Sequence, residues 1–214
     1  QIDTLFIADN KFTTAPSILD LNGEKIIMAG SDDNNFYAID SYGELLFQFE
    51  AEDDIVSSAS FFTNSSGVSI LFGSDDGYLH AIDQNGNALD GWPILFSDTP
   101  GDVSFSDLDG DGVVEIVFGV GNEIHAIRFD GTSFNSNHFP IFTEFPIESA
   151  ATIVDFDNDL DLEIIVGSSV NVEAIDILDQ NGTTQGFWSM YRANNTRTGL
   201  FEATIDIPDI QLGD

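Results

Sequence analysis

The chain has 214 residues, which is enough for one sizeable domain with its own core. It carries 38 acidic against 5 basic side chains, a net charge of −33. Nucleic-acid binding is therefore not expected, because contact with phosphates needs Lys and Arg, and an anionic membrane surface would repel the chain. No run approaches the roughly 18 consecutive apolar residues of a membrane-spanning helix, so membrane insertion is not expected either. The chain has no cysteine, which neither indicates nor excludes secretion.

One sequence unit recurs four times along the chain. Its centre is Ala-Ile-Asp or a close variant, and these triplets begin at Ala38, Ala81, Ala126 and Ala174, with spacings of 43, 45 and 48 residues. Two apolar strand patterns precede each triplet, and a glycine turn and an aromatic-rich strand follow it. Four short strands in about 40–50 residues is the period of a propeller blade. The sequence therefore predicts an all-β fold, a β-propeller of four-stranded antiparallel blades. A β-sandwich is the alternative, but it would not explain the regular period.

The predicted blades cover residues 13–50, 56–97, 102–143 and 149–192 of a propeller domain at 1–200, with an acidic linker or tail at 201–214. Residues 187–191 are predicted to be the outer strand of the fourth blade. Residues 4–16 resemble residues 45–60, so residues 5–8 are predicted to be the outer strand of a fifth blade whose other strands are absent. Two interpretations follow: a complete four-bladed ring with an extra strand or, favoured, the C-terminal part of a larger propeller of about six to eight blades.

Two strongly acidic loops follow the first strand of the third and fourth units. Each has aspartates at alternate positions, beginning at Asp107 and Asp155, and a glutamate eight residues after the first of them. Alternate residues of a tight loop can point inward together, and three or four carboxylates packed without a cation repel one another. Calcium prefers six to eight such oxygens, so the sequence predicts two structural calcium sites. In the second loop Asn158 and Leu160 replace Gly110 and Gly112, and a leucine tolerates the left-handed conformation poorly.

The segments DLDGDGVVEIVFG and DFDNDLDLEIIVG resemble FG-GAP repeats, the blade motifs of integrin-type propellers and of many secreted bacterial proteins. The segment GSDDGYLHAID resembles the blades of PQQ-type propellers, and WSMYR with the following RTG is similar to a motif that closes bacterial propellers. The FG-GAP resemblance implies calcium ligands at the first, third, fifth and ninth loop positions and a backbone carbonyl at the seventh. The implied ligands are Asp107, Asp109, Asp111, Glu115 and the Val113 carbonyl, then Asp155, Asp157, Asp159, Glu163 and the Asp161 carbonyl.

The corresponding loops of the first two units have lost the acidic pattern. Residues 20–24 form a loop that is too short and too mixed in residue type for a calcium site, and residues 63–67 contain no carboxylate. Half of the array would thus keep the fold without metal, which favours a structural rather than a catalytic role for calcium. His80 and His125 occupy equivalent positions and are predicted to be strand residues at a blade surface.

No catalytic constellation emerges from the sequence. Serine, histidine and aspartate do not group in a nucleophile-elbow context, and a cysteine nucleophile is absent. We therefore expect a non-catalytic, adhesion-type binding or scaffold module that is secreted or at the cell surface, with a protein or polysaccharide ligand. Two alternatives remain: a fragment of a carbohydrate-active or quinone-dependent propeller enzyme, and a subunit of a surface filament or multi-protein assembly in which a neighbour closes the ring.

Overall fold

The computed structural model describes residues 4–64, 66–178, 182–194, 196 and 198–203. In these residues the regular structure is entirely β, as the sequence predicts. No described segment forms a helix long and apolar enough to cross a bilayer. The strands are β1 (Ser17–Leu21), β2 (Glu24–Gly30), β3 (Asn35–Asp40), β4 (Leu45–Glu50), β5 (Ser60–Asn64), β6 (Gly67–Gly73), β7 (Tyr78–Asp83), β8 (Ile94–Leu95), β9 (Ser104–Ser106), β10 (Glu115–Val120), β11 (Glu123–Ile127), β12 (Ile141–Phe142), β13 (Thr152–Val154), β14 (Glu163–Gly167), β15 (Val172–Asp176) and β16 (Leu200–Ala203).

The strands form four sheets that follow the predicted repeat. Strands β1–β4, β5–β8 and β9–β12 form three antiparallel blades in simple up-and-down order, and β13–β15 form a fourth blade of three strands. Strand β16 adds to β1 in parallel, so the first sheet has five strands. Glycines at or next to the end of the second strands mark close approaches between successive segments. A Cβ at Gly119 would lie 2.7 Å from Ile147, and one at Gly73 would overlap the Pro100 carbonyl.

Consecutive blades are joined along their first strands by one repeated hydrogen bond. The Ser17 hydroxyl donates to the Ala59 carbonyl at 2.8 Å, Ser60 donates to Val103 at 2.7 Å, and Ser104 donates to Ala151 at 2.6 Å. A large apolar cluster fills the first three blades, and a smaller one lies between the third and fourth. The first strands of the blades therefore lie side by side at the centre of the array.

The C-terminal segment runs along this centre. The prediction of an outer strand at residues 187–191 is wrong, because Trp188 accepts a hydrogen bond from the Phe105 amide (2.7 Å) and Ser189 accepts one from Ile153 (2.9 Å). The Trp188 ring packs edge-on against Phe61 at 5.3 Å and is 2% exposed. An outer strand would leave part of this large ring in water, whereas the centre buries it.

The segment then ends on the first blade. Residues 201–203, placed in the tail by the sequence, belong to β16, and its pairing with β1 brings the C-terminal segment to the innermost strand of the first blade. Residues 204–214 of the predicted tail lie outside the described residues.

The N-terminal segment covers the outside of the first blade. Residues 4–8 form no strand, although the Phe6 ring lies 5.1 Å from Tyr37 of β3 and Phe12 bridges Ser31. The segment thus packs over the first blade, where an outer strand of a preceding blade would lie.

Candidate metal centre

The first acidic loop, residues 107–115, joins β9 to β10. Asp107 accepts hydrogen bonds from the amides of Gly110 (2.7 Å) and Gly112 (3.0 Å), and Asp109 accepts one from Asp111 (3.1 Å). Gly110 and Gly112 have φ of 74° and 83°, the left-handed conformation that glycine adopts without steric cost. The sharp turns that these glycines permit bring one carboxylate oxygen each of Asp107, Asp109 and Glu115 within 4.8 Å of one another.

Glu115 is the most deeply buried member of this first cluster. One of its oxygens accepts the Leu108 amide at 2.8 Å, and the other, Oε1, is buried and has no hydrogen-bond partner. Burial raises the pKa of Glu115 to about 7, and the neighbouring charge of Asp109 acts in the same direction. A buried carboxylate oxygen that lacks a donor and faces two other carboxylates is suited to bind a cation.

Arg128 supplies a positive charge to the same loop. Its guanidinium Nε lies 3.4 Å from Glu115 Oε1, and Nη2 lies 3.5 Å from Asp111 and 3.8 Å from Asp109. The Phe134 ring supports the guanidinium from 5.6 Å. Arg128 was not among the site residues predicted from the sequence. The signal was there, because Arg128 replaces the aspartate of the Ala-Ile-Asp triplet in the unit that also carries the first acidic loop.

The second acidic loop, residues 155–163, joins β13 to β14 with the same backbone path. Asp155 accepts a hydrogen bond from the Asn158 amide at 2.7 Å, and Glu163 accepts one from the Phe156 amide at 2.5 Å. Asp107 and Glu115 accept the equivalent hydrogen bonds in the first loop. Asn158 and Leu160 have φ of 67° and 81°, close to the glycines that they replace. The predicted conflict is therefore present, since Leu160 occupies a conformation that L side chains rarely adopt.

The second loop brings its carboxylates into two overlapping groups. Asp155, Asp157 and Glu163 form one, and Asp159, Asp161 and Glu163 form the other, each within 4.8 Å. Asp161 Oδ1 is buried without a hydrogen-bond partner. The Asp159 carboxylate and burial raise the pKa of Asp161 to about 6.

The two loops differ in the charge that faces their glutamate. In the fourth blade, Glu163 pairs with Asp176. In the third blade, the residue equivalent to Asp176 is Arg128, which lies one residue beyond the end of β11. Asp176 adds to the negative field that raises the pKa of Asp161. The second loop therefore gathers more negative charge and lacks the internal cation of the first.

The structure assembles most of the predicted ligand residues. Asp111 lies outside the close group of the first loop and faces Arg128 instead. The Val113 residue is 44% exposed. Asp161 enters the second group through its side chain, whereas the resemblance implies its carbonyl. Among the described residues, groups of three or more acidic, histidine or cysteine side chains in ligand geometry occur only in these two loops.

His80 and His125 lie between blades, where their rings contact Phe49 at 5.2 Å and Phe96 at 5.1 Å from the preceding blade. His80, predicted at a blade surface, is buried with its ring stacked on Phe72 at 5.2 Å, and burial lowers its pKa to about 4. Its Nε2 lies 2.8 Å from the Ser74 hydroxyl. His125 stacks on Phe118 at 5.6 Å and contacts Glu123. Both histidines therefore act as packing residues between blades.

No family model and no curated protein matches the chain. Solved structures do match. The designed protein Ika4 is 12% identical, with a TM-score of 0.56 over 82% of this chain and 99% of Ika4. BamB from Moraxella catarrhalis is 15% identical (TM-score 0.54; 82% of this chain, 49% of BamB). BBS1N, solved in complex with ARL6DN, is 15% identical (TM-score 0.55; 78% and 49%). The chain thus spans about half the length of BamB and BBS1N, which are propellers, and the likeness confirms that its fold is a β-propeller.

Proposed function

We propose that the chain is a calcium-stabilised β-propeller module that binds a protein or polysaccharide outside the cell and performs no catalysis. One observation carries the calcium assignment. Each acidic loop holds a buried carboxylate oxygen that accepts no hydrogen bond: Asp161 Oδ1 in the second loop, and Glu115 Oε1 in the first, which forms an ion pair with Arg128 Nε at 3.4 Å. Buried polar atoms normally have partners, and a calcium ion is the partner that suits oxygens surrounded by further carboxylates.

Calcium would stabilise the loops by offsetting charge. The backbone amides of Leu108 and Phe156 each donate a hydrogen bond to one oxygen of the loop glutamate. The other carboxylate oxygens repel one another, and Arg128 offsets part of this repulsion in the first loop alone. A divalent ion converts this repulsion into attraction and fixes the connection between the first two strands of the blade. Both loops are built on strands of the blade, so the ion would rigidify a scaffold rather than activate a substrate.

The surface charge supports a location outside the cell. A net charge of −33 keeps the protein soluble at high ionic strength, where self-repulsion is screened. Extracellular calcium modules bind with dissociation constants of roughly 10⁻⁴–10⁻³ M, within reach of a site of a few carboxylates.

A protein partner is supported by one of the structural relatives. BBS1N was solved in complex with ARL6DN, so that propeller binds another protein. In the present chain, the same use of the fold would present loop tips held in place by rigid blades. A polysaccharide is the other ligand class that the proposal includes, and a glycan array probed with and without calcium separates the two.

Isothermal titration calorimetry with calcium tests the proposal. We expect two sites per chain, with Asp109→Asn abolishing one and Asp157→Asn the other, while Asp90→Asn, an exposed aspartate outside both loops, retains both. Magnesium should bind more weakly because it requires a near-ideal octahedral shell. A stoichiometry that neither loop variant changes would reject the assignment.

A further inference from the structure

A cavity between the first two blades is lined by a buried histidine. The cavity has a volume of about 370 Å³ and lies between the end of β4 in the first blade and β7 in the second. The lining residues that matter here are Phe49, Glu50, Glu52, Asp76, Tyr78 and His80. Both walls of the cavity belong to this chain, so its shape does not depend on any further blade.

The hydrogen bonds of Ser74 assign the proton of the His80 ring. The Ser74 hydroxyl donates to the Asp76 carboxylate, and the other acceptor within its reach is the Tyr78 carbonyl at 3.4 Å. A hydroxyl has one proton, so Ser74 Oγ accepts a hydrogen bond from His80 Nε2, which lies 2.8 Å away. The neutral ring therefore carries its proton on Nε2, and Nδ1 is a hydrogen-bond acceptor.

This acceptor is buried and unsatisfied. His80 is 4% exposed, and its Nδ1 has no hydrogen-bond partner among the described residues. Buried polar atoms normally have partners, because desolvation without a hydrogen bond costs free energy. Since His80 lines the cavity, a ligand bound there can supply the missing donor.

The equivalent rings of the neighbouring blades have partners within the chain. In the first blade the Tyr37 hydroxyl donates to Asp33 at 2.9 Å, and in the third blade His125 Nε2 lies 2.9 Å from Glu123. The second blade has Tyr78 at the position of Glu123, so an aromatic wall of the cavity replaces that carboxylate. Of these three described rings, only the second-blade ring has a buried polar atom without a partner.

The charge of the lining favours a cationic donor. Three carboxylates line the cavity, and none of its described lining residues is a lysine or an arginine. Glu50 and Glu52 are exposed, and in the described part of the chain neither forms an ion pair. The Phe49 and Tyr78 rings add aromatic surface, to which cations are attracted. A neutral sugar could donate hydroxyl hydrogen bonds but would leave these charges unpaired.

We propose that this cavity binds a lysine or arginine side chain of a protein partner. The cationic group donates a hydrogen bond to His80 Nδ1, and its charge pairs with Glu50 and Glu52. The proposal rests on the proposed function as a protein-binding module, and it names the chemistry of the partner as a basic segment. It does not require metal in the acidic loops, which lie in the third and fourth blades.

Nitrogen NMR of the histidine rings tests the contact in the calcium-saturated chain. The probe is the peptide Gly-Gly-Lys-Gly-Gly with acetylated and amidated ends, so that the lysine carries its only charge. In the free chain His80 Nδ1 should show the resonance of a non-protonated nitrogen, and the peptide should shift it upfield because the nitrogen then accepts a hydrogen bond. The same peptide with acetyl-lysine, which has no charge, should leave the resonance in place.

An arginine version of the peptide identifies the cation, since the partner's residue should give the larger shift at equal concentration. A protonated Nδ1 in the free chain, or an equal response to the acetyl-lysine peptide, would overturn the proposal. A shift caused by the neutral sugar cellobiose and by neither charged peptide would assign the cavity to a polysaccharide and would also overturn it.

Paired carboxylate variants separate the cavity from the general acidity of the chain. Glu50→Gln removes a lining carboxylate at the end of β4, whereas the matched control Glu44→Gln removes an exposed one just before the start of the same strand. In about 0.15 M NaCl, charges more than about 8 Å apart are largely screened. Glu50→Gln should therefore weaken binding of the lysine peptide about fivefold, and Glu44→Gln by less than about twofold.

Equal effects of the two variants would overturn the proposal. Calcium titration of the same samples tests the proposed function separately. Two calcium sites without peptide binding would reject the cavity alone, whereas peptide binding without calcium sites would reject the calcium assignment alone.

Discussion

Replacement of Arg128 should have opposite effects with and without calcium. In the structure the guanidinium lies 3.4 Å from Glu115 Oε1, 3.5 Å from Asp111 and 3.8 Å from Asp109. Among the described residues it is the only cation that forms ion pairs with the first loop. Arg128→Gln removes this charge and keeps much of the stem on Phe134. Without metal the loop then loses its internal counter-charge, whereas with metal it loses a competitor for the carboxylates.

The magnitude follows from these distances. Two unit charges 3.4 Å apart attract by about 5 kcal/mol at an effective dielectric constant of about 20. Desolvation of the arginine and proton uptake by Glu115, whose pKa is already about 7, offset much of this attraction. We expect Arg128→Gln to lower the free energy of unfolding by about 1–3 kcal/mol in EDTA. Removal of the repulsion between the guanidinium and the ion should tighten calcium binding at the first loop by about tenfold, or about 1.4 kcal/mol.

Urea unfolding in excess EDTA and in millimolar calcium measures both effects. Lys25→Gln is the control, because its ion pair with Asp20 in the first blade is exposed and distant from both loops. Lys25→Gln should change the free energy of unfolding only slightly, and by the same amount in EDTA and in calcium. An equal loss of stability for Arg128→Gln in EDTA and in calcium would refute the competition between arginine and metal.

Three further predictions concern single side chains. Leu160→Gly should raise the free energy of unfolding by about 1 kcal/mol, measured with urea, because glycine relieves the strain of a φ of 81°. Little apolar burial is lost, since Leu160 is 72% exposed. Unchanged or lower stability would refute this strain. His80 binds protons less readily in the folded state (pKa about 4) than in the unfolded state (about 6.5), so its contribution is complete above pH 6.5 and declines as the pH falls toward 4. Relative to His80→Tyr, the chain should lose about 1.4 kcal/mol between pH 7.5 and 5.5; parallel pH profiles would argue against this titration. Trp188→Ala should cost about 3–5 kcal/mol because it empties the centre of the array, whereas Phe142→Ala, at 70% exposure, should cost little by thermal unfolding; similar losses for both would contradict the central position of the C-terminal segment.

The repeat could be predicted from sequence because local patterns encode it. The triplet at Ala38, Ala81, Ala126 and Ala174 marks the third strand of each blade, and each lies on a strand at the expected place. The acidic loops could be predicted for the same reason, because their alternate aspartates and the turn residues with positive φ are neighbours in sequence. The carboxylates converge because backbone geometry within nine residues makes them do so.

Other features depend on contacts between distant residues. Trp188 resembles an aromatic residue of an outer strand, and only the whole array shows that it is buried against Phe61. The parallel pairing of β16 with β1 joins residues about 180 apart, and no local pattern specifies it. The role of Arg128 was not predicted because its acidic partners lie on the other side of a strand pair. Its replacement of the aspartate in the Ala-Ile-Asp triplet was nevertheless visible in the sequence.

Thermal unfolding in EDTA and in millimolar calcium tests the central claim most directly, with Asp109→Ala and Asp157→Ala measured alongside. At free calcium 100-fold above the dissociation constant, each site should add about 2.7 kcal/mol, or roughly 5–10 °C for a chain of this size. We predict that calcium raises the midpoint of the unmodified chain and that each substitution removes part of the gain. A midpoint that responds to neither calcium nor the substitutions would show that residues 107–115 and 155–163 are solvated turns without a metal.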